Sequence, residues 1–272
     1  MTGTSNSRYG SLLFLDEQEG PAQTLARLPF SGEGSRYDES HIRDLIFSHP
    51  EILPVAEIDP NYGRLIPVCR ELRTPAGPID AVFVNERGLL TLIECKLWRN
   101  PQARREVVGQ ILDYAKELGR WRYEDIQREV SSALKRPGNT LYDLVRERHP
   151  DVAEDVFVDS AARCLRSGRF LLLIVGDGIR EGVETMVTFL QEHAGLHFTF
   201  GLVEVALFEA PQGGRIVQPR VLARTTLLER TVLRPLDHHA PAGPECPGRS
   251  ASFHGLGSPR LKEAHGAGWI SG

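Results

Sequence analysis

Residues 38–49 open with acids, carry Ile42, Leu45 and Ile46 at helical spacing and stop before Pro50, which predicts a short amphipathic helix. Three apolar stretches follow at 65–72, 79–84 and 89–98, rich in branched or large side chains and separated by Pro, Gly and Asn. They predict three successive strands. Both parities of the third are apolar, with Leu89, Ile93, Cys95 and Leu97 on one face and Leu90, Leu92 and Trp98 on the other. Such a strand belongs in the middle of a sheet with helices on both sides. From Pro101 the period changes, and Val107, Val108, Ile111, Leu112, Ala115 and Leu118 predict a helix of roughly 17 residues that closes near Gly119. Residues 121–167 read as helical pieces broken at Pro137-Gly138 and His149-Pro150. A buried strand at 169–176, a helix at 181–193 and a hairpin of 197–209 with 215–223, turned by Gly213-Gly214, complete the pattern. The order predicts an α/β fold with a mixed central sheet flanked by helices, a helical insertion at about 120–168 and a C-terminal helix plus hairpin.

Composition adds bounds. The chain of 272 residues, 41% hydrophobic and 25% charged, can bury a core without disulfides or metals. Its longest apolar run, 170–175, is too short to span a membrane, and its first residues carry no signal-peptide pattern, so the expected location is cytoplasmic. Cys69, Cys95, Cys164 and Cys246 stand singly and read as reduced thiols. From Pro235 the chain holds seven Gly, five Pro and four Ser in 38 residues, a flexible tail by composition. The expected organisation is therefore an N-terminal extension over 1–36, one domain over 37–234 and the tail over 235–272. Net charge is −4, yet residues 96–122 hold seven basic and three acidic side chains, a local +4. That excess fits either a nucleic-acid interface or a solvated helix face.

Strands buried on both faces rarely carry charge, because an unpaired ion taken from water costs several kcal/mol. The third strand, TLIECKLW, carries Glu94 and Lys96 two residues apart on one face, and the second, GPIDAVFVN, carries Asp80. One reading is a buried Glu94–Lys96 ion pair with Asp80 at a strand edge. The linker NERG separates this from a second reading. With Gly88 left-handed in a three-residue turn, Asn85 faces Leu89 and Asp80 lies opposite Glu94 on the same face. With a two-residue turn the pairing slips by one and Asp80 goes to the other face. Two opposed carboxylates repel, and an all-oxygen site that holds them together suits Mg²⁺ or Mn²⁺.

These residues resemble the PD-(D/E)XK nuclease superfamily, the restriction-endonuclease-like phosphodiesterases. The match is Pro78-Ile79-Asp80, thirteen residues, then Glu94-Cys95-Lys96, behind an acid-led helix and ahead of a helix bearing Gln110-Ile-Leu-Asp-Tyr114. The Gln110 and Tyr114 pair is similar to the glutamine and tyrosine motif of the RecB-like branch. The resemblance implies an α-β-β-β-α-β core and divalent-metal-dependent hydrolysis of phosphodiester bonds in nucleic acid, DNA foremost, in restriction, repair or phage defence. It implies Asp80 and Glu94 as ligands of Mg²⁺ or Mn²⁺, Lys96 as the group that orients the attacking water, and Glu39, or its neighbour Asp38, as an auxiliary metal ligand. Gln110 and Tyr114 would position the nucleic-acid backbone or a metal-bound water, although Gln110 also suits the edge of the core. Arg99, Arg104, Arg105, Arg120 and Arg122, with Tyr114, are the expected nucleic-acid contacts. Oligomeric state stays open, a homodimer included.

Two alternatives stand beside this reading. The fold could serve as a non-catalytic nucleic-acid-binding or interaction module. The turn Gly176-Asp177-Gly178 with Gly182 also resembles a nucleotide-binding loop, although further βαβ units are lacking.

Overall fold

The computed structural model describes residues 11–15, 20–30, 37–97, 103–177 and 198–225, all within the first of two compact units, Met1–Glu229. The expected tail, the expected helix at 181–193, Gly178, Gly182, Cys246 and Arg99 lie outside the described residues, and for Arg104 and Arg105 only the backbone is described.

The chain begins with three two-residue strands, β1 (Leu13–Phe14), β2 (Gln23–Thr24) and β3 (Arg27–Leu28), and then helix α1 (Glu39–Ser48). Asp38 caps α1 in a capping box with His41, which explains why the acid-led segment starts where it does. Short turns and α2 (Val55–Ile58) lead into the meander β4 (Ile66–Thr74), β5 (Gly77–Val84) and β6 (Leu90–Lys96). Helix α3 (Ala103–Leu118) follows, then the helical insertion as α4 (Tyr123–Leu134), α5 (Thr140–Arg146) and α6 (Glu154–Ser167). The chain returns to the sheet as β7 (Phe170–Gly176), β8 (Thr199–Glu209) and β9 (Arg215–Arg224). Gly213 and Gly214, both at positive φ, turn the last hairpin.

The seven-stranded sheet is mixed. β4, β5 and β6 pair antiparallel, β6, β7 and β8 pair parallel, and β9 pairs antiparallel with β8. β3 pairs with the far end of β8, on the edge that β7 uses. β6 is central, as its two apolar parities require. Leu90 and Leu92 pack with Val107, Ile111 and Tyr114 of α3 and with the insertion helices. Leu89, Ile93, Cys95 and Leu97 pack on the other face with Ile42 and Ile46 of α1. Cys69, Cys95 and Cys164 are buried free thiols. Among the described residues no helix is long and apolar enough to cross a membrane.

Candidate functional site

The hairpin β5–β6 closes through Glu86-Arg87-Gly88. Gly88 has φ +74°, and a Cβ added there would lie 2.9 Å from the Ala161 nitrogen of α6, so both backbone conformation and space call for glycine. Asn85 is fully buried and fully paired. Its amide donates to the Asn61 and Tyr62 carbonyls at 3.1 and 2.9 Å, and its Oδ1 accepts from the Arg87 and Leu89 nitrogens at 3.0 and 2.9 Å. The resulting register pairs Val84 with Leu90 and Ala81 with Ile93. The next step outward is Asp80 across from Glu94, the arrangement that the three-residue turn predicted.

At that end the ladder opens. Asp80 Oδ2 accepts from the Cys95 N–H at 2.7 Å. Glu94 is 4% exposed, and its Oε2 has no hydrogen-bond partner. Burial, with the Asp80 carboxylate beside it, pushes Glu94 up to about 8 against the pull of Lys96. Burial also raises Asp80, against the Cys95 N–H and the Arg43 guanidinium. Removal from water disfavours both anions, and each makes the other's charge harder to hold. An unpaired buried carboxylate oxygen next to a second acid is costly unless the group holds a proton or a cation occupies the space.

Helix α1 brings its first turn to the same end. Asp38 and Glu39 differ in their partners. Asp38 is spent on capping, accepting from Ser40 Oγ at 2.5 Å and the His41 nitrogen at 3.0 Å, bonds that hold its carboxyl well below the usual range. Glu39 accepts from the Leu97 N–H at 3.0 Å and lies 3.4 Å from Lys96 Nζ, so it faces the strand ends.

Gln110 and Tyr114 stand one turn apart on α3, as expected, but their roles differ. Tyr114 is fully buried; Gln110 Nε2 donates to its hydroxyl at 2.6 Å, and the hydroxyl donates to the Pro78 carbonyl at 2.7 Å. Burial pushes this phenol up to about 12. The tyrosine placed among the nucleic-acid contacts is thus a core strut under the Pro78-Ile79-Asp80 segment, and its hydroxyl is occupied. Gln110, half-buried, is the member of the pair nearer the surface.

Two residues that sequence reasoning passed over complete the charge pattern. Glu71 stands between the pairs Arg70–Ala81 and Leu72–Ile79, across from Asp80, at φ +52°, a conformation that costs about 1–2 kcal/mol for a residue with a Cβ. Its carboxylate takes a hydrogen bond from Arg43 Nη1. Arg43, one helical turn after Glu39, is 18% exposed at its side chain, and its charge acts on Asp80. The i,i+4 spacing of Glu39 and Arg43 was the available signal; nothing local marks Glu71.

The expected basic surface divides. Arg120 is exposed and paired with Glu117 at 2.8 Å, and exposed Arg122 starts α4. Both follow the last turn of α3, which abuts Leu165 just before β7 begins. α3 runs back along the sheet from the carboxyl end of β6, so Arg120 lies about 15 Å along the helix from Gln110. These two arginines sit at the turn end of the sheet, away from Asp80 and Glu94.

The donor chemistry fits a hard divalent cation. Asp80 and Glu94 offer carboxylate oxygens, one of them without a protein partner, and Mg²⁺ typically takes one or two carboxylates, completing its shell with water and phosphate. Among the described residues no group of three or more His, Cys, Asp or Glu could hold a metal ion by itself, and Glu39 is turned onto Leu97 and Lys96. Compared with models of protein families, with curated proteins and with solved structures, the chain matches none.

Proposed function

We propose that the protein is a divalent-metal-dependent phosphodiester hydrolase acting on nucleic acid, DNA foremost, on a restriction-endonuclease-like core. The observation that carries this is the pair Asp80 and Glu94, adjacent at an open strand end with Glu94 Oε2 buried and unpaired. Buried side-chain oxygens are normally satisfied within the protein. Asp80 and Glu94 are the residues that would hold Mg²⁺ or Mn²⁺. The ion would lower the pKa of a bound water and neutralise charge on the phosphate.

The remaining groups orient and balance. Lys96, on the same face as Glu94, places its ammonium where it can hold the attacking water or meet charge developing on the phosphate. Glu39 holds that ammonium at 3.4 Å. Tyr114 braces the Asp80 strand through Pro78, and Arg43 supplies a positive charge that keeps Asp80 able to ionise beside Glu94.

One observation favours a second reading, a non-catalytic nucleic-acid-binding module on the same fold: Glu39 is already engaged, so two acids stand where three were expected. Cleavage separates the two. Plasmid, linear duplex and single-stranded DNA are incubated with the full chain in Mg²⁺, Mn²⁺ or EDTA. Metal-dependent cutting is expected, with Asp80→Ala and Glu94→Ala slower by about 10³-fold or more. No cutting of any substrate by the wild type, or equal cutting by Asp80→Ala, moves the assignment to the binding module.

A further inference from the structure

The turn end of the sheet, which the proposed reaction does not use, gathers three arginines around one turn of α6. The β5–β6 turn packs there, with Ser160 Oγ donating to the Arg87 carbonyl at 2.7 Å and Gly88 against Ala161. The chain leaves α6 for β7 with the Arg169 N–H donating to the Cys164 carbonyl at 3.0 Å, and Arg163 adjoins Cys164 on the helix. Among the described residues Arg87, Arg163 and Arg169 form no ion pair. Burial raises the Cys164 thiol, and the pull the other way comes from Arg169, Arg163 and Arg87, with no carboxylate of the described residues among the charges that act on it. The thiol therefore stays neutral at ordinary pH in a positive surrounding.

Tyr62 adds a buried donor. It is 1% exposed and packs with Cys164, Leu89 and Leu171 on the α1 face of the sheet. Arg169 stands two residues before Leu171 and projects to that same face. The Tyr62 hydroxyl makes no hydrogen bond with the protein, although the Arg169 guanidinium and the Cys164 thiol are close enough to act on it. Burial, with the Asp59 carboxylate, raises this phenol, so at neutral pH the hydroxyl holds its proton and can donate it. Asp59 itself is engaged elsewhere, accepting from the Asn61 backbone and side-chain nitrogens at 3.0 and 2.9 Å and from Thr199 Oγ1 at 2.8 Å. Glu86 in the turn and Asp159 one helical turn before Arg163 form no ion pair with the three arginines.

A buried hydroxyl without an acceptor, beside guanidinium groups without a carboxylate, suits an oxyanion, and the planar donors of arginine match phosphate oxygens. Depth decides which kind. Tyr62 is buried and Arg169 half-buried, whereas Arg87 and Arg163 are exposed, so a ligand group reaches the hydroxyl only by projecting inward between them. A terminal phosphate does this with three free oxygens and a charge of about −1.5 to −2 at pH 7; a backbone phosphodiester is flanked by sugars and carries a single charge. We infer that Tyr62, Arg87, Arg163 and Arg169 form a binding site for a terminal phosphate group, that of a phosphate monoester or inorganic phosphate. The site lies at the Leu89 end of β6, five residues and about 17 Å from Glu94, and does not depend on the nuclease reading.

The test is calorimetric titration of inorganic phosphate into the full chain at constant ionic strength, in EDTA so that the carboxylate end holds no metal. Saturable binding by wild type is expected, weakened about 10-fold or more in Arg169→Gln and about 10-fold in Tyr62→Phe. Arg120→Gln, which removes an arginine paired with Glu117, should bind as wild type does. Tyr62→Phe also removes a polar atom that has no partner, so its unfolding temperature should equal or exceed that of wild type. Displacement of phosphate by a nucleoside monophosphate names a small ester as the source, displacement by a 5′-phosphorylated oligonucleotide alone names a nucleic-acid end, and displacement by neither names inorganic phosphate. Equal displacement by the 5′-hydroxyl oligonucleotide overturns the preference for a terminal phosphate. No binding by wild type, equal binding by all variants, or earlier unfolding of Tyr62→Phe overturns the site and leaves the reading of Asp80 and Glu94 untouched. Should Arg169→Gln fail to fold, Tyr62→Phe decides alone.

Discussion

The two ends of the β5–β6 hairpin bury polar side chains of similar size and treat them in opposite ways. At the turn, every hydrogen-bonding group of the Asn85 amide has a partner, Gly88 presses against Ala161, and Ser160 Oγ donates to the Arg87 carbonyl at 2.7 Å. At the other end, Glu94 keeps an unpaired oxygen beside Asp80, and across the sheet Glu71 holds a left-handed backbone. The first end sets the register, and the second spends the stability that this register secures. Strain and unpaired charge persist only where surrounding structure over-determines them, and the closed turn is what does so here.

The largest effect should come from breaking the stable end. Gly88→Ala meets both a left-handed backbone and the Ala161 nitrogen, so a loss of about 3 kcal/mol, or roughly 6–12 °C in thermal unfolding, is expected. Cleavage should fall with it if register positions Asp80 against Glu94; full activity in a destabilised Gly88→Ala protein would uncouple the two ends.

The opposite sign is expected at the strained end. Glu94 ionises near 8 in the folded chain against an ordinary 4.5, so from about pH 4.5 upward the folded state holds a proton that the unfolded chain has released. The metal-free protein therefore loses stability as pH rises from about 4.5 to 8 and levels off above. Glu94→Gln should flatten this dependence and at pH 8 unfold later than wild type by about 2 kcal/mol, the gain limited by the need to bury the amide itself. Added Mg²⁺ should stabilise wild type at pH 8 and leave Glu94→Gln nearly unchanged. A wild type whose stability is flat over this range in EDTA would refute the electrostatic account.

A smaller change is expected from Tyr114→Phe, which removes the bond to the Pro78 carbonyl and should cost about 1 kcal/mol. If Tyr114 acts as a strut, turnover should drop several-fold while DNA affinity holds; a selective loss of affinity would return the residue to the nucleic-acid surface. Smallest of all, Arg120→Gln with Arg122→Gln at the turn end should change DNA affinity less than about 2-fold and leave its salt slope intact. A clear loss there would place the interface away from Asp80 and Glu94.

The amino-acid sequence by itself determined the helix behind Asp38, the three-strand meander, the centrality of β6 and the Asp80–Glu94 register. All of these follow from local rules: a two-residue side-chain period, apolar residues on both parities, and a Gly-closed turn whose length sets every pairing before it. What only the tertiary structure decided depends on which elements become neighbours. Asp38 and Glu39 are adjacent acids in sequence, and only docking of α1 over the strand ends sends one to cap the helix and the other to Lys96. Tyr114 reads as a motif residue until the segment at Pro78 is found beneath its hydroxyl. Arg120 and Arg122 belong to the basic stretch by count, but the direction of α3 carries them to the far end of the sheet. Arg27, Glu204 and Arg220 meet only because β3 and β9 pair with opposite edges of β8. Such meetings join residues up to 177 positions apart, and no local periodicity encodes them, because the spacing across a sheet is set by strand order and crossover rather than by distance along the chain.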